Sequence, residues 1–383
     1  MPEYKVFSHA QSGVRFGKDD KVVLENFPSS YGPVNIVVRT RLKRTDTGKV
    51  VPIGLTAEVQ GHAPSLLDSA QNLAHAAQSI CPVFAFIGNA PIADMCPEVA
   101  YEVAPGIRER DYFQLFHPEQ SALHIDRRRI SSEVAVRFLH KFLCHPEAER
   151  IRRALGQYYQ ALRNWEPGQE ALAVSHLWMG VEALSPVVLR RTMQTTGNTR
   201  AELASTWGVE DRKLDAEVRR RLILLGDTDT YTTARKASDG FEHGFLGFAE
   251  VHAQSSLVRS KLADYLRKSI LNELALDAMD TSTMTVPPYD KPGHLRLVKY
   301  LRGKLISSDE SLVAEGQTHP FLQWKTEVRE VPNLGSESAK FILNESFTGV
   351  FAAGVSINIQ NIEVLAGMES SLKAHSHGES STD

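Results

Sequence analysis

The stretch RKASDGFEHGF, residues 235–245, carries Arg235, Asp239 and His243 at four-residue intervals, with glycines at 240 and 244. On a helix those intervals set the three side chains along one stripe. Such a stripe could move protons beside an anion without a metal. An imidazole titrates near working pH, and a guanidinium can hold two phosphate oxygens as charge builds. A carboxylate one turn before the histidine can orient it and favour its charged form. The same spacing equally suits a chain of exposed or dimer-bridging ion pairs, each a small aid to the helix. Gly240 and Gly244 would then be points of close packing against a neighbouring helix.

Other chemical signatures are missing from the chain. GKDD and GKVV lack the upstream glycine and the Ser or Thr of a phosphate-binding loop, and HExxH, GxSxG and GxGxxG do not occur. His140 and Cys144 in HKFLCH share a helical face, with His145 one step round, but no fourth ligand accompanies them. A buried apolar cysteine and a histidine ahead of Pro146 account for the motif as well. No metal and no cofactor is expected.

The elements that must position the stripe belong to a chain of 383 residues, 42% hydrophobic and 23% charged, long enough for two or three cores. A formal charge of -3 argues against a uniformly basic nucleic-acid coat protein. Three widely spaced cysteines encode neither a disulfide framework nor a zinc ribbon and suit a reducing cytoplasm. The first residues lack the basic start and apolar run of a signal peptide. No membrane span is expected.

Periodicity divides the chain into a multidomain α+β arrangement. Residues 1–125 form an N-terminal α+β domain. KVVLENF, VNIVVRTRLKRT and VVPIGLTAEVQ alternate as strands, TDTGK turns between the last two, and APSLLDSAQNLAHAAQS is helical. CPVFAFIGNAPIADM is expected to be a buried strand ending in a turn. Residues 126–276 are helical almost throughout, with Pro146 and Pro186 expected to stop helices, and five or more helices with short links make a bundle. Residues 286–366 alternate again as LRLVKYLRGKLI, FLQWKTEVREV, AKFILNESFTGVF and VSINIQNIEVL, a small β-rich C-terminal domain. TMTVPPYDKPG reads as its linker, and residues 367–383 as a disordered tail.

Charge segregates with the helices. From Arg127 to Ala275 there are 23 Lys and Arg against 18 Asp and Glu. The positive residues cluster at Arg127 to Arg129, at Arg150 with Arg152 and Arg153, and at Arg219, Arg220 and Arg221. Arg152, Arg153 and the 219–221 run are candidate contacts to RNA phosphates; the competing expectation is solvated helix faces with local Glu partners.

The helix order, YYQAL, then SHLWMGVEALSP, then an arginine-rich segment, then a helix ending FEHG, resembles the HEPN superfamily of helical-bundle domains. The resemblance covers about residues 158–270. It implies a homodimer or larger even assembly. It also implies metal-independent endoribonuclease chemistry from an Arg, the polar residue after it and a His, with RNA as partner. His243 matches that histidine and Asp239 the polar residue, while Ser238 stands where the arginine is expected and Arg235 lies one turn earlier. Many proteins of this kind are bacterial anti-phage effectors. The opposing expectation is a non-enzymatic, dimeric interaction protein whose β domains bind a protein partner.

Overall fold

A computed structural model of the chain describes residues 1–44, 50–103, 111–115, 127–166, 168–284, 296–306, 312, 314–315, 321–331 and 340–367. The expected TDTGK turn, most of the TMTVPPYDKPG segment and all of the tail after Gly367 lie outside them. The fold is mixed α+β, and the chain divides into two compact units, Met1–His294 and Leu295–Asp383.

In the first unit a six-stranded antiparallel sheet runs in the order β3-β4-β5-β1-β6-β7. Its strands are β1 (Glu3–Ala10), β3 (Lys21–Ser29), β4 (Gly32–Arg44), β5 (Val50–His62), β6 (Cys96–Glu102) and β7 (Tyr112–Gln114). Alternation sets the buried face: along β1 it holds Tyr4, Val6, Ser8 and Ala10. Two short parallel strands, β2 (Val14–Arg15) and β8 (Arg128–Arg129), tie the start of the chain to the segment before the helices. Helix α1 (Leu66–Gln78) starts at Ser65, whose side chain accepts from the Asp68 N–H, and turns Leu73 and Ala77 inward.

The expected strand at CPVFAFIG is instead a helix, α2 (Cys81–Gly88). Pro82 fits a first helical turn, and Asn89 closes the helix in the left-handed conformation. The apolar run misleads because it is buried on every side: Phe84 meets Phe16, just past β2, at 5.5 Å, and Phe86 meets Phe138 at 5.5 Å and Tyr158 at 5.3 Å. A helix buried all round carries no periodic signal.

Among the described residues the helices that follow are α3 (Ser132–Leu143), α4 (Ala148–Arg163), α5 (Glu170–Thr196), α6 (Arg200–Trp207), α7 (Leu214–Val218), α8 (Thr228–His243), α9 (Phe248–Leu274) and α10 (Ala278–Met284). A wide π turn, Arg219–Ile223, follows α7. Helices α4, α5, α8 and α9 pack together, and a Cβ on Gly180 of α5 would lie 2.6 Å from the Leu266 side chain of α9. Pro186 does not stop α5, which runs ten residues past it. Val187, Val188 and Leu189 beyond it are buried, and their burial offsets the roughly 3 kcal/mol that an interior proline costs. This is the one described helix long and apolar enough to cross a membrane, and 67% of its apolar window is packed inside the protein.

Sheet and helices share one continuous hydrophobic core, from Tyr4 to Met284. In the second unit β9 (Arg296–Ile306) pairs antiparallel with β12 (Ser356–Gly367), and β10 (Phe321–Val331) with β11 (Lys340–Val350). All four expected strands there are present.

Glu273 of α9 is buried beside Arg191, Oε1 to Nη2 3.2 Å. Burial pushes its carboxyl above the usual range, against the pull of Arg191. A raised folded-state value means that its contribution to stability is full at low pH and is lost as pH rises through that value. Glu273→Gln is therefore expected to raise the melting temperature at pH 7 to 8 and to change little near pH 4. Melting curves over that range test this, and a variant less stable than the parent at pH 8 refutes it.

Candidate functional site

The stripe residues sit on α8, which begins at Asp227, whose side chain accepts from the Thr230 N–H. Its C-cap is Gly244 at φ 69°, the left-handed value that favours glycine, and the four-residue turn to α9 folds back over it. A Cβ on Gly240 would strike the Leu246 side chain at 2.5 Å, while Gly244 faces open space. Only Gly240 is a close-packing point, and its neighbour is this turn rather than another helix.

Arg235, Asp239 and His243 do share the solvent side of α8. Arg235 Nε lies 3.4 Å from Asp239 Oδ2, an exposed ion pair one turn apart, and such pairs contribute about 0.3–0.5 kcal/mol. His243 is exposed at the helix end, and no hydrogen bond joins it to Asp239 among the described residues. The carboxylate expected to orient the imidazole instead holds the guanidinium expected to face the phosphate.

Ser238 points the other way. It is buried, and its hydroxyl donates to Glu242 Oε1 at 2.9 Å, which also accepts from Ser175 of α5 at 2.7 Å. On α5, His176 Nδ1 lies 2.9 Å from Gln157 Oε1 of α4, and burial pushes that imidazole below its ordinary value against the pull of Glu242. The position where the resemblance expects an arginine thus faces α5, where the buried Ser238 and Ser175 share the carboxylate of the exposed Glu242.

The arginine clusters are largely engaged within the protein. Arg219 bonds Glu182 and stands over the Trp178 ring at 5.8 Å. Arg220 and Arg221 both bond Glu217, at 2.6 and 2.5 Å, and Arg221 stands over Trp207 at 5.2 Å. Arg152 lies 3.6 Å from Glu149 and over Phe142; Arg153 is exposed. Arg127 and Arg128 donate to backbone carbonyls of Ser12, Pro52, Gly88 and Asn89. Local Glu partners and carbonyls therefore take most of the charge that was a candidate for phosphates.

His140 Nε2 lies 3.8 Å from Cys144 Sγ on an exposed face, so Cys144 is not the buried residue expected. His145 Nδ1 accepts from the Glu147 N–H. Among the described residues no group of three or more His, Cys, Asp or Glu side chains is placed to hold a metal ion.

The end of the bundle where α8 meets α9 holds features that sequence reasoning missed. Phe241, Phe245 and Phe248 are 37%, 59% and 70% exposed there, beside His243. Phe248 stacks on His252 of α9, with ring centroids 6.3 Å apart. His252 Nδ1 in turn lies 3.1 Å from Glu170 Oε2 at the start of α5, and Lys236 donates to Glu250 at 2.8 Å. The aromatic spacing was visible in the sequence, but its exposure was not, since phenylalanines at such intervals usually mark a core. No family model, curated protein or solved structure matches the chain.

Proposed function

We propose that the Met1–His294 unit holds a HEPN-like helical bundle joined to an N-terminal α+β domain, that it acts on RNA as a homodimer, and that the α8–α9 end is where RNA binds. The observation that carries this is the company of exposed rings Phe241, Phe245 and Phe248 with the imidazoles of His243 and His252. Exposed aromatic faces are what unpaired bases stack on, at about 1–3 kcal/mol per base, and imidazole is the group that moves protons at neutral pH. A cytoplasmic setting follows from the three scattered cysteines, and a part in bacterial anti-phage defence from the family resemblance alone.

The test is fluorescence anisotropy with a labelled single-stranded oligoribonucleotide. The parent chain is expected to bind, and Phe248→Ala and Phe245→Ala each to weaken binding by about tenfold, one stacked base's worth. Because Arg219 to Arg221 are held by Glu182 and Glu217, the salt dependence should be shallow. Absence of binding at low salt would refute the proposal.

One observation favours a second reading, a non-enzymatic interaction protein. Arg235 and Asp239 neutralise each other on the helix that also carries Phe241, and an exposed apolar patch with little net charge suits a protein interface. That alternative expects Phe245→Asp to turn a dimer into a monomer in light scattering, with no effect of RNA on either form.

A further inference from the structure

The geometry points to His252, oriented by Glu170, as a proton-transfer site for cleaving single-stranded RNA, in place of His243. This rests on the RNA-directed role proposed above. A general base needs one ring nitrogen held by an acceptor and the other free. His252 stands close to that arrangement: Nδ1 lies 3.1 Å from Glu170 Oε2, a charge contact not aligned as a hydrogen bond, the side chain is 39% exposed, and Nε2 has no partner among the described residues. His243 has no such carboxylate.

Glu170 is built into the protein rather than draped on it. It is the first residue of α5 and only 8% exposed, and its carboxylate is bracketed by two residues of α9. Those residues, His252 and Arg259, stand two turns apart and so share a helix face. Arg259 Nη1 lies 3.9 Å from Glu170 Oε1, and its guanidinium sits 4.5 Å over the Trp165 ring. Glu170 Oε2 is buried with no hydrogen bond in line, so its contact with the imidazole leaves acceptor capacity unused. The charged groups around His252 are Glu170, Arg259 and, two residues earlier on α9, Glu250 with Lys236. The mutual neutralisation of Lys236 and Glu250 leaves Glu170 as the group that sets the imidazole's orientation.

The stacked Phe248, 70% exposed, supplies a face for a base beside the imidazole. In the step this arrangement supports, neutral His252 takes the proton of a ribose 2′-hydroxyl. The 2′-oxygen then forms a bond to the adjacent phosphorus as the bond from phosphorus to the 5′-oxygen breaks, and that oxygen takes a proton from solvent or from the imidazolium. The products are a 2′,3′-cyclic phosphate and a 5′-hydroxyl, so atoms and charge balance without a co-reactant. Glu170 is a positioning residue in this step, and His252 touches the reacting atoms.

The experiment uses the full chain, a labelled single-stranded oligoribonucleotide, chelator throughout, and product mapping for the cyclic phosphate. His252→Ala and His252→Gln are both made, the second to keep the volume and polarity between α5 and α9, and each is checked by melting temperature. Both are expected to lower kcat by about 100-fold with KM little changed. Glu170→Gln should lower kcat by about tenfold with KM and melting temperature little changed, a split that a merely structural tie between α5 and α9 would not give. Full cleavage by a folded His252→Gln chain overturns the assignment. A parent chain that binds the oligonucleotide without cutting it also overturns it and leaves the RNA-directed role standing; one that neither binds nor cuts overturns both.

Discussion

Arg267→Ala is expected to cost the Met1–His294 unit about 3–5 kcal/mol, the range found when a buried charged network loses one partner. Arg267 is 3% exposed on α9 and has no carboxylate partner among the described hydrogen bonds; it donates to the carbonyl oxygens of Phe86, Ile87 and Met284. The first two close α2, where the helix dipole is negative, so the guanidinium serves as its cap from a distance of 181 residues in sequence. It also stacks 4.5 Å over the Phe86 ring. Burial makes its charged form costly, lowering its affinity for a proton, and the carbonyls are what hold it. Removing the side chain leaves the Ile87 and Met284 carbonyls without that donor, each loss costing about 1–3 kcal/mol, while Phe86 O keeps the Asn89 N–H, and it leaves a cavity under Phe86. Arg267→Lys should recover only part, since one ammonium cannot span the fork. Urea unfolding decides the matter: a loss under about 1 kcal/mol would show that water satisfies those carbonyls as well.

Phe86→Ala should cost about 3–5 kcal/mol, as large-to-small changes of a buried phenylalanine do, and the sheet and the helices should melt together. Phe84 and Phe86 stand two residues apart on α2, so they leave the helix in nearly opposite directions. Phe84 packs edge-on against Phe16 on the sheet side, and Phe86 against Phe138 of α3 and Tyr158 of α4. The Tyr158 hydroxyl donates to Asn89 Oδ1 at 2.6 Å, at the end of the same helix. A helix buried between two layers couples them, so weakening one side lowers a shared transition. Calorimetry of the variant should give one peak for this unit, shifted down; two separated peaks would mean that the sheet and the bundle unfold independently.

The candidate site was half legible. Arg235, Asp239 and His243 fall on one stripe as their spacing requires, because the helical repeat alone sets that. Which of them touch was not legible, because a carboxylate with a guanidinium one turn before it and an imidazole one turn after it has two partners to choose from, and α8 pairs it with Arg235. The arginine runs showed their charge, while their partners Glu182, Glu217 and Trp207 lie on other turns and other helices. Glu170 and His252 stand too far apart in the chain for any spacing rule to join them.

What the sequence by itself determined are the elements whose signal is local. Strand β4 and strand β5 follow from alternation and β-branching, α4 and α9 from apolar residues at helical intervals, and β9 to β12 from the same period of two. In β4, β5, α4 and α9 these patterns survive because each element has one wet and one dry side. The tertiary structure alone decided the rest. It made α2 a helix rather than a strand, since an apolar run buried on all sides has no period, and it carried α5 through Pro186, since packing of the residues beyond the proline outweighs its local penalty. It placed Glu170 against His252 and Arg267 against the end of α2, since a contact between distant residues is set by how helices pack, and the two local sequences need hold no sign of each other.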